Sequence, residues 1–315
     1  VIDFRYHLVS IIAIFMALAV GIVLGSGPLR EPIDNTISQQ ADQLREQRND
    51  LQEELRLTEQ RVAYQEDVVA ALGAGVTDGR LAGRRVVLVT APGADPEVAQ
   101  ELGEAVAAAG GTVTGTVGVV DTWLDPANEE ELDEVTSRLV LPGTTFPEDS
   151  DARERMDTVL ASALVTRSPR DDPQSDPGAQ ALLTGLEELG HLTVDGTPSE
   201  RAGLALVVAA PAPEDAAVAG VQTGGLVDLV AALDRQGAGT VVAGTQSANS
   251  EGGLVREVRT EGATEGSVST VDTADSAAGR LSAVLALDAE AEGATGAYGY
   301  GAEADEVLPE LADAP

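Results

Sequence analysis

The residues of this 315-residue chain that could do chemistry are few and scattered. Gln246-Ser247-Ala248-Asn249-Ser250 follows Thr240 to Ala243, a short run that reads as a strand. Polar side chains at the end of such a strand sit where open α/β sheets bind ligands. Gln246, Ser247 and Asn249 are therefore the candidate ligand loop, with a plain polar turn as the competing reading. His191 is the only histidine after the first thirty residues, so any Ser–His–acid triad would have to use it. It follows Gly190 at the expected end of a helix, where an imidazole caps carbonyls or lies at the surface. No Gly-x-Ser-x-Gly elbow, Walker loop or Gly-x-Gly-x-x-Gly after a strand is present. At the first strand-to-helix turn, Asp95 and Glu97 would repel an anion. The chain reads as a non-enzyme with no catalytic and no cofactor-binding residues.

Metal chemistry is equally sparse. There is no Cys, hence no disulfide, thiolate nucleophile or thiolate-held metal. Copper(I) prefers thiolate, thioether and imidazole; beyond the first thirty residues the chain offers only Met156 and His191. No metal-ligating residues are expected, although the many carboxylates could hold hard cations weakly. Asp and Glu total 53 against 19 basic residues, all of them Arg, giving a formal net charge of −34. Phosphate backbones need clustered cations, so nucleic acid is excluded as a partner. Such acidic, lysine-free composition also fits a GC-rich coding bias or solubility in high salt.

The elements that would position these residues begin with an apolar span. From Leu8 to Leu29 no residue is charged, and eighteen residues, Leu8 to Gly25, make a helix of about 27 Å, near the thickness of a hydrocarbon layer. Phe4 and Tyr6 can anchor its near end. The apolar run continues past the small-x-small triplet Ala17-Leu18-Ala19, which favours an uncleaved anchor over a signal peptide. The expected topology is single-pass, N-terminus inside, with an extracytoplasmic C-terminal body. Ala13, Ala17, Gly21 and Gly25 recur every four residues, a strip on which two helices can meet in lipid.

Pro28 and Pro32 interrupt this helix, and from Ile33 to Leu72 there is neither proline nor glycine. Apolar residues fall on a heptad: Ile37, Leu44, Leu51 and Leu72 on one seam position, Ala41, Leu55, Val62 and Val69 on the other. Arg48, Thr58 and Gln65 interrupt it. Directly after a small-residue span, this predicts a coiled-coil stalk over residues 31–73 and a parallel homodimer. Gly73, Gly75, Gly79 and Gly83 then read as a flexible junction.

The fold class expected for the remainder is α/β: an open, mostly parallel sheet over residues 84–290 behind the anchor (1–30) and stalk. Arg85 to Thr90 (RVVLVT), Thr112 to Val120, Leu204 to Ala210, Thr240 to Ala243 and Val268 to Val271 read as strands. Helices fall between them, the first capped by Asp95-Pro96. Ser168 to Gly178 reads as a flexible insert, and 291–315 as an acidic tail that is polar or loosely docked. Only five aromatics lie beyond the first thirty residues, too few for the girdles of a transmembrane β-barrel.

The stretches HLVSIIAIFMALAVGIVLGSG (His7–Gly27) and VSTVDTADSAAGRLSAVLALDAE (Val268–Glu290), with the later Tyr298-Gly299-Tyr300-Gly301, resemble the actinobacterial family of mycobacterial copper transport protein B (MctB; SteB in corynebacteria). The resemblance spans nearly the whole chain, and Ser269, Thr270, Val271 and Asp272 form its motif with the anchor. It implies two roles. One is copper homeostasis, with family members assigned to the outer membrane as channel-forming exporters. The other is cell separation, in which a membrane partner (SteA-like) and a peptidoglycan hydrolase act with an extracytoplasmic coiled coil. Taken with the residues, the expectation is a dimeric scaffold at the cell membrane. Copper efflux is the alternative function, and the outer membrane the alternative location.

Overall fold

The computed structural model describes residues 4–26, 30–168 and 175–310, with side chains in the second helix from position 40 onward. It divides into two units, residues 1–65 and 66–315.

In the first unit, α1 (Phe4–Ser26) is apolar on every face and none of it is buried. Its span Phe4–Gly25 is long and apolar enough to cross a membrane. Helix α2 (Arg30–Thr77) is polar but carries Leu44, Leu51, Leu55 and Val62 as exposed apolar residues. Ile37 belongs to the same heptad, but its side chain lies outside the described residues, as do 27–29 at the end of the expected anchor.

The second unit is built on one seven-stranded sheet of order β3-β2-β1-β4-β5-β6-β7. Its elements run β1 (Arg85–Thr90), α3 (Pro96–Ala108), β2 (Thr112–Val119), α4 (Asp121–Leu124), α5 (Glu129–Arg138), α6 (Ala152–Leu164), α7 (Pro177–Glu188) and β3 (Leu192–Gly196). They continue with β4 (Leu204–Val208), α8 (Ala216–Gln236), β5 (Gly239–Ala243), α9 (Leu254–Thr260), β6 (Ser269–Val271), α10 (Ala277–Ala291) and β7 (Ala297–Tyr298). Each pairing between these strands is parallel except β2 with β3. Strand side chains alternate between the two faces of a sheet, so each central strand feeds two cores. Val87, Val89, Ala205, Val207 and Val242 join the core under α6, α7, α8 and α9. Val86, Leu88, Leu204, Leu206, Val208, Val241 and Val271 join the core under α3 and α10. Sheets buried on both faces read as continuous apolar runs, which is why β1 and β4 are legible in the sequence.

Helix α8 also meets the length and apolarity of a membrane span, but half of it is buried and its Leu226, Leu229, Val230 and Leu233 fill the sheet core. It is a core helix.

Three sequence expectations change. Gly73 and Gly75 lie inside α2, which runs to Thr77; the expected junction there is replaced by packing. A Cβ on Gly73 would touch Leu281 at 3.6 Å, and Glu66 accepts the Ala277 N–H at 2.5 Å, capping α10. Val69, placed on the dimer seam, is correspondingly half-buried. His191 neither caps with its ring nor lies at the surface: it is 4% exposed, and Nδ1 meets the Thr122 hydroxyl at 3.1 Å. Its backbone N–H closes α7 on Leu186 O instead. The tail expected from 291 is not loosely docked up to 310, because β7 pairs with β6 and Tyr298 is buried. Residues 169–174 of the expected insert, and 311–315, lie outside the described residues.

The connection β6–α10–β7 is exceptional. The connections β4–α8–β5 and β5–α9–β6 step the same way across the sheet with their helices on one face; β1–α3–β2 steps the other way with its helix on the opposite face. These three share one hand. Helix α10 packs on the α3 face, so its connection has the opposite hand, found in about 2% of such crossovers.

Glu290, at the end of α10, is 3% exposed and accepts the Ser269 N–H at 2.7 Å. Burial pushes its carboxyl up to about 7. A proton bound more tightly in the folded chain stabilises it at low pH, and that contribution fades as pH rises from the ordinary glutamate range through about 7. Between about pH 5 and about pH 8, urea titrations should show E290Q losing up to about 3 kcal/mol less stability than the unaltered chain, the remaining loss belonging to other buried carboxyls such as Asp157. An unchanged slope in E290Q would refute the assignment.

Candidate functional site

In open parallel sheets, ligands bind beyond the carboxyl ends of the strands, first of all where the strand order reverses, here between β1 and β4. The sequence folds that edge against anions. Asp95 caps α3 on the Glu97 N–H (2.9 Å), and Asp215 caps α8 on the Ala217 N–H (2.8 Å). The N–H groups that would cradle a phosphate are thus already held by carboxylates. Between the two strands, Ala91 donates to Val208 O at 3.0 Å and carries the pairing outward.

Farther along the same edge, the candidate ligand loop and the family motif meet. Asp272 follows β6 and is fully buried. Its Oδ2 accepts from Arg259 Nη1 (3.0 Å), Asn249 Nδ2 (3.2 Å) and Gly301 N (3.0 Å), and its Oδ1 from Tyr300 N (3.2 Å). Arg259, on α9, also donates from Nε to the Thr270 hydroxyl (2.8 Å), from Nη1 to Ala302 O (2.8 Å) and from Nη2 to Tyr298 O (2.9 Å). Asn249 reaches the same Ala302 O at 3.0 Å, and Gln246 Nε2 lies 3.5 Å from Asp272 O. Ser269 completes the motif by accepting the Gly296 N–H on its hydroxyl at 3.2 Å, while Val271 enters the core.

The Tyr-Gly-Tyr-Gly stretch now has a physical reason. Gly299 has φ +133°, and a Cβ there would fall inside the Asp272 carboxylate. A Cβ on Gly301 would collide with the Asn249 amide. Only glycine lets this backbone approach the carboxylate closely enough to donate to it.

Of the predicted ligand loop, Gln246 and Asn249 turn inward to this network, and Ser247 stays on the surface turn, its hydroxyl 2.7 Å from that of Thr245. With the Asp272 oxygens and the three Arg259 nitrogens committed to partners and both residues buried, the arrangement is an internal hydrogen-bond network. It fastens residues 296–302 to the sheet. Arg259 is invisible in the sequence because the short run Leu254–Thr260, with Arg256 and Arg259, is too brief for a period to single either out.

A second buried polar cluster lies in the core under α6 to α9. Trp123 Nε1 donates to Asp157 Oδ1 (3.0 Å), and Arg153 Nε donates to Oδ2 (2.9 Å). Burial drives the Asp157 carboxyl up, to about 7, while Arg153 pulls it down. Among the described residues, no group of three or more His, Cys, Asp or Glu has metal-site geometry. The expected dimer residues are placed without partners in the single chain: α1 is bare at Ala13, Ala17, Gly21 and Gly25, and α2 at Leu44, Leu51, Leu55 and Val62.

Truncating one partner of a buried ion pair leaves the other charge unpaired, at a cost of about 3–5 kcal/mol. R259M should lower the urea stability of the full chain by about that amount, followed by fluorescence of the lone, fully buried Trp123. G301A should expose residues 296–310 to limited proteolysis before the rest of the body. A loss under about 1 kcal/mol in R259M would show that the pair is dispensable.

Residues 1–309 match the family described as "Copper transport outer membrane protein, MctB". The chain is 30% identical over 285 residues to the copper transporter MctB of Mycobacterium tuberculosis (strain ATCC 25618 / H37Rv), covering 85% of this chain and 86% of that protein. It is 29% identical over 288 residues to the copper transporter MctB of Mycobacterium leprae (strain TN), at the same coverage. A match over nearly its whole length places this chain in the MctB family.

Proposed function

We propose that this chain is a non-enzymatic, membrane-tethered protein of the cell envelope that acts as a parallel homodimer and holds partner proteins, in the copper-homeostasis setting of its family. The observation that carries the reading is the bare seam on α2. Leu44, Leu51 and Leu55 are 66%, 65% and 59% exposed on a helix that is otherwise polar apart from off-seam residues such as Leu57 and Tyr64. Burying each such leucine contributes about 2 kcal/mol, and a heptad seam is buried by a second copy in register. The exposed apolar helix α1 supports the tether, and its small-residue strip the same parallel pairing. An extracytoplasmic body, a SteA-like membrane partner and action on a peptidoglycan hydrolase extend this reading from the resemblance.

The relatives are named copper transporters, which favours copper efflux as the second reading. Two features count against a copper path through this body. Copper(I) needs soft ligands, and the chain has no Cys, two Met and two His; Met156 is fully buried. The sheet is open-edged and covered by helices on both faces, not the closed barrel that lines an outer-membrane channel. On this reading copper passes through a partner that the dimer holds.

The absence of native cysteine makes the dimer directly testable. In membranes carrying the full chain, L51C and L55C should each oxidise to a disulfide-linked dimer, whereas Q60C, on the outer face of the same heptad, should not. Cross-linking equal at all three positions, or absent from the seam, would end the dimer proposal. Copper(I) titration against a competing chelator should show no tight binding to the purified full chain; a stoichiometric site would move copper handling into this protein.

A further inference from the structure

The richest unassigned surface lies between α8 and the segment from Glu251 through α9. There a groove of about 720 Å³ is floored by small residues. Ala216, Gly220 and Gly224 follow each other every four residues along the exposed side of α8, and a Cβ on either glycine would meet nothing within 4 Å. Ala219, Thr223 and Val227 are buried beneath them. The Thr223 hydroxyl donates to Gly252 O at 2.8 Å and stitches the two walls together. Both walls are acidic: Glu214 and Asp228 on the α8 side, Glu251, Glu257 and Glu261 on the other. Among the described residues, no arginine lines the groove.

We infer that this groove docks a partner helix that carries Arg or Lys along one face. The floor fits a helix because small residues four apart leave two turns of flat surface, and backbones there can approach to about 8 Å. The rim fits cations because carboxylates on both walls border the groove without a basic residue among its described lining. The chain is itself so acidic, at −34, that a second copy is a poor occupant, and a separate cationic protein is the better one. This names the partner chemistry within the partner-holding reading above and rests on it. It does not depend on the seam of α2, so the two can fail separately.

The probe is an Ala/Leu helical peptide with Arg at every fourth position, fluorescently labelled and titrated onto the full chain in non-ionic detergent. E251Q/E257Q/E261Q should weaken saturable binding at least about tenfold. G220L should do so as well, by filling the floor at a helical position where leucine is better tolerated than glycine. As a charge-matched control, E129Q/E130Q/E131Q on α5 should change affinity less than about threefold. Equal weakening by both triple variants would reduce the effect to general electrostatics and overturn the proposal, as would unchanged binding in G220L or no saturable binding at all. The cysteine cross-links on α2 should be unaffected in every variant; their loss would place the defect in dimerisation instead.

Discussion

The buried pair between Arg259 and Asp272 is the constraint on which the outer half of the sheet depends. The crossover from β6 through α10 to β7 runs against the favoured hand, and β7 contributes only two residues of pairing. A twisted strand does not by itself return the chain that way, so ladder bonds alone are a weak anchor for it. The compensation is local and polar. Asp272 collects the backbone N–H groups of Tyr300 and Gly301, and Arg259 collects the carbonyls of Tyr298 and Ala302. One ion pair thereby satisfies backbone groups on both sides of the returning chain. A buried ion pair is weak support for stability when it stands alone, because desolvation offsets its attraction. Here its value lies in the hydrogen bonds it organises.

That arrangement explains what the sequence can and cannot disclose. β1 and β4 are apolar on both faces and stand out as unbroken runs, and Asp95-Pro96 marks the start of α3 through chemistry confined to four residues. β3 escapes notice because it is an antiparallel edge strand of five residues, mostly exposed, with no apolar run. α9 spans seven residues, under two helical turns, too short for a period to repeat. β7 has no local signal at all; it is a strand only because Asp272 holds Tyr300 and Gly301 just beyond it. The glycines at 299 and 301 are conspicuous, but their reason lies in a carboxylate 27 residues and more upstream. Gly73 and Gly75 look like a hinge by composition, yet packing on α10 absorbs them into a helix.

The site is legible in its parts and not in its meaning. Gln246, Asn249 and Asp272 each stand out, two by position after a strand and one by resemblance. The structure joins them in one buried network. Polar residues at the carboxyl edge of a parallel sheet are ambiguous for this reason: the same loops that can hold a substrate can also hold the chain.

The arginines carry the reasoning one step further. With 19 of them against 53 carboxylates, where they are placed decides the character of the surface. Several are committed to low-exposure pairs: Arg259 with Asp272, Arg153 with Asp157 and Arg80 with Asp288. The planar guanidinium suits this use, since Arg259 donates in four directions at fixed angles, which a lysine ammonium cannot reproduce. Each such pair withdraws one carboxylate together with one cation, so pinning the fold this way leaves the net charge of −34 on the rest of the chain, the α8–α9 groove included.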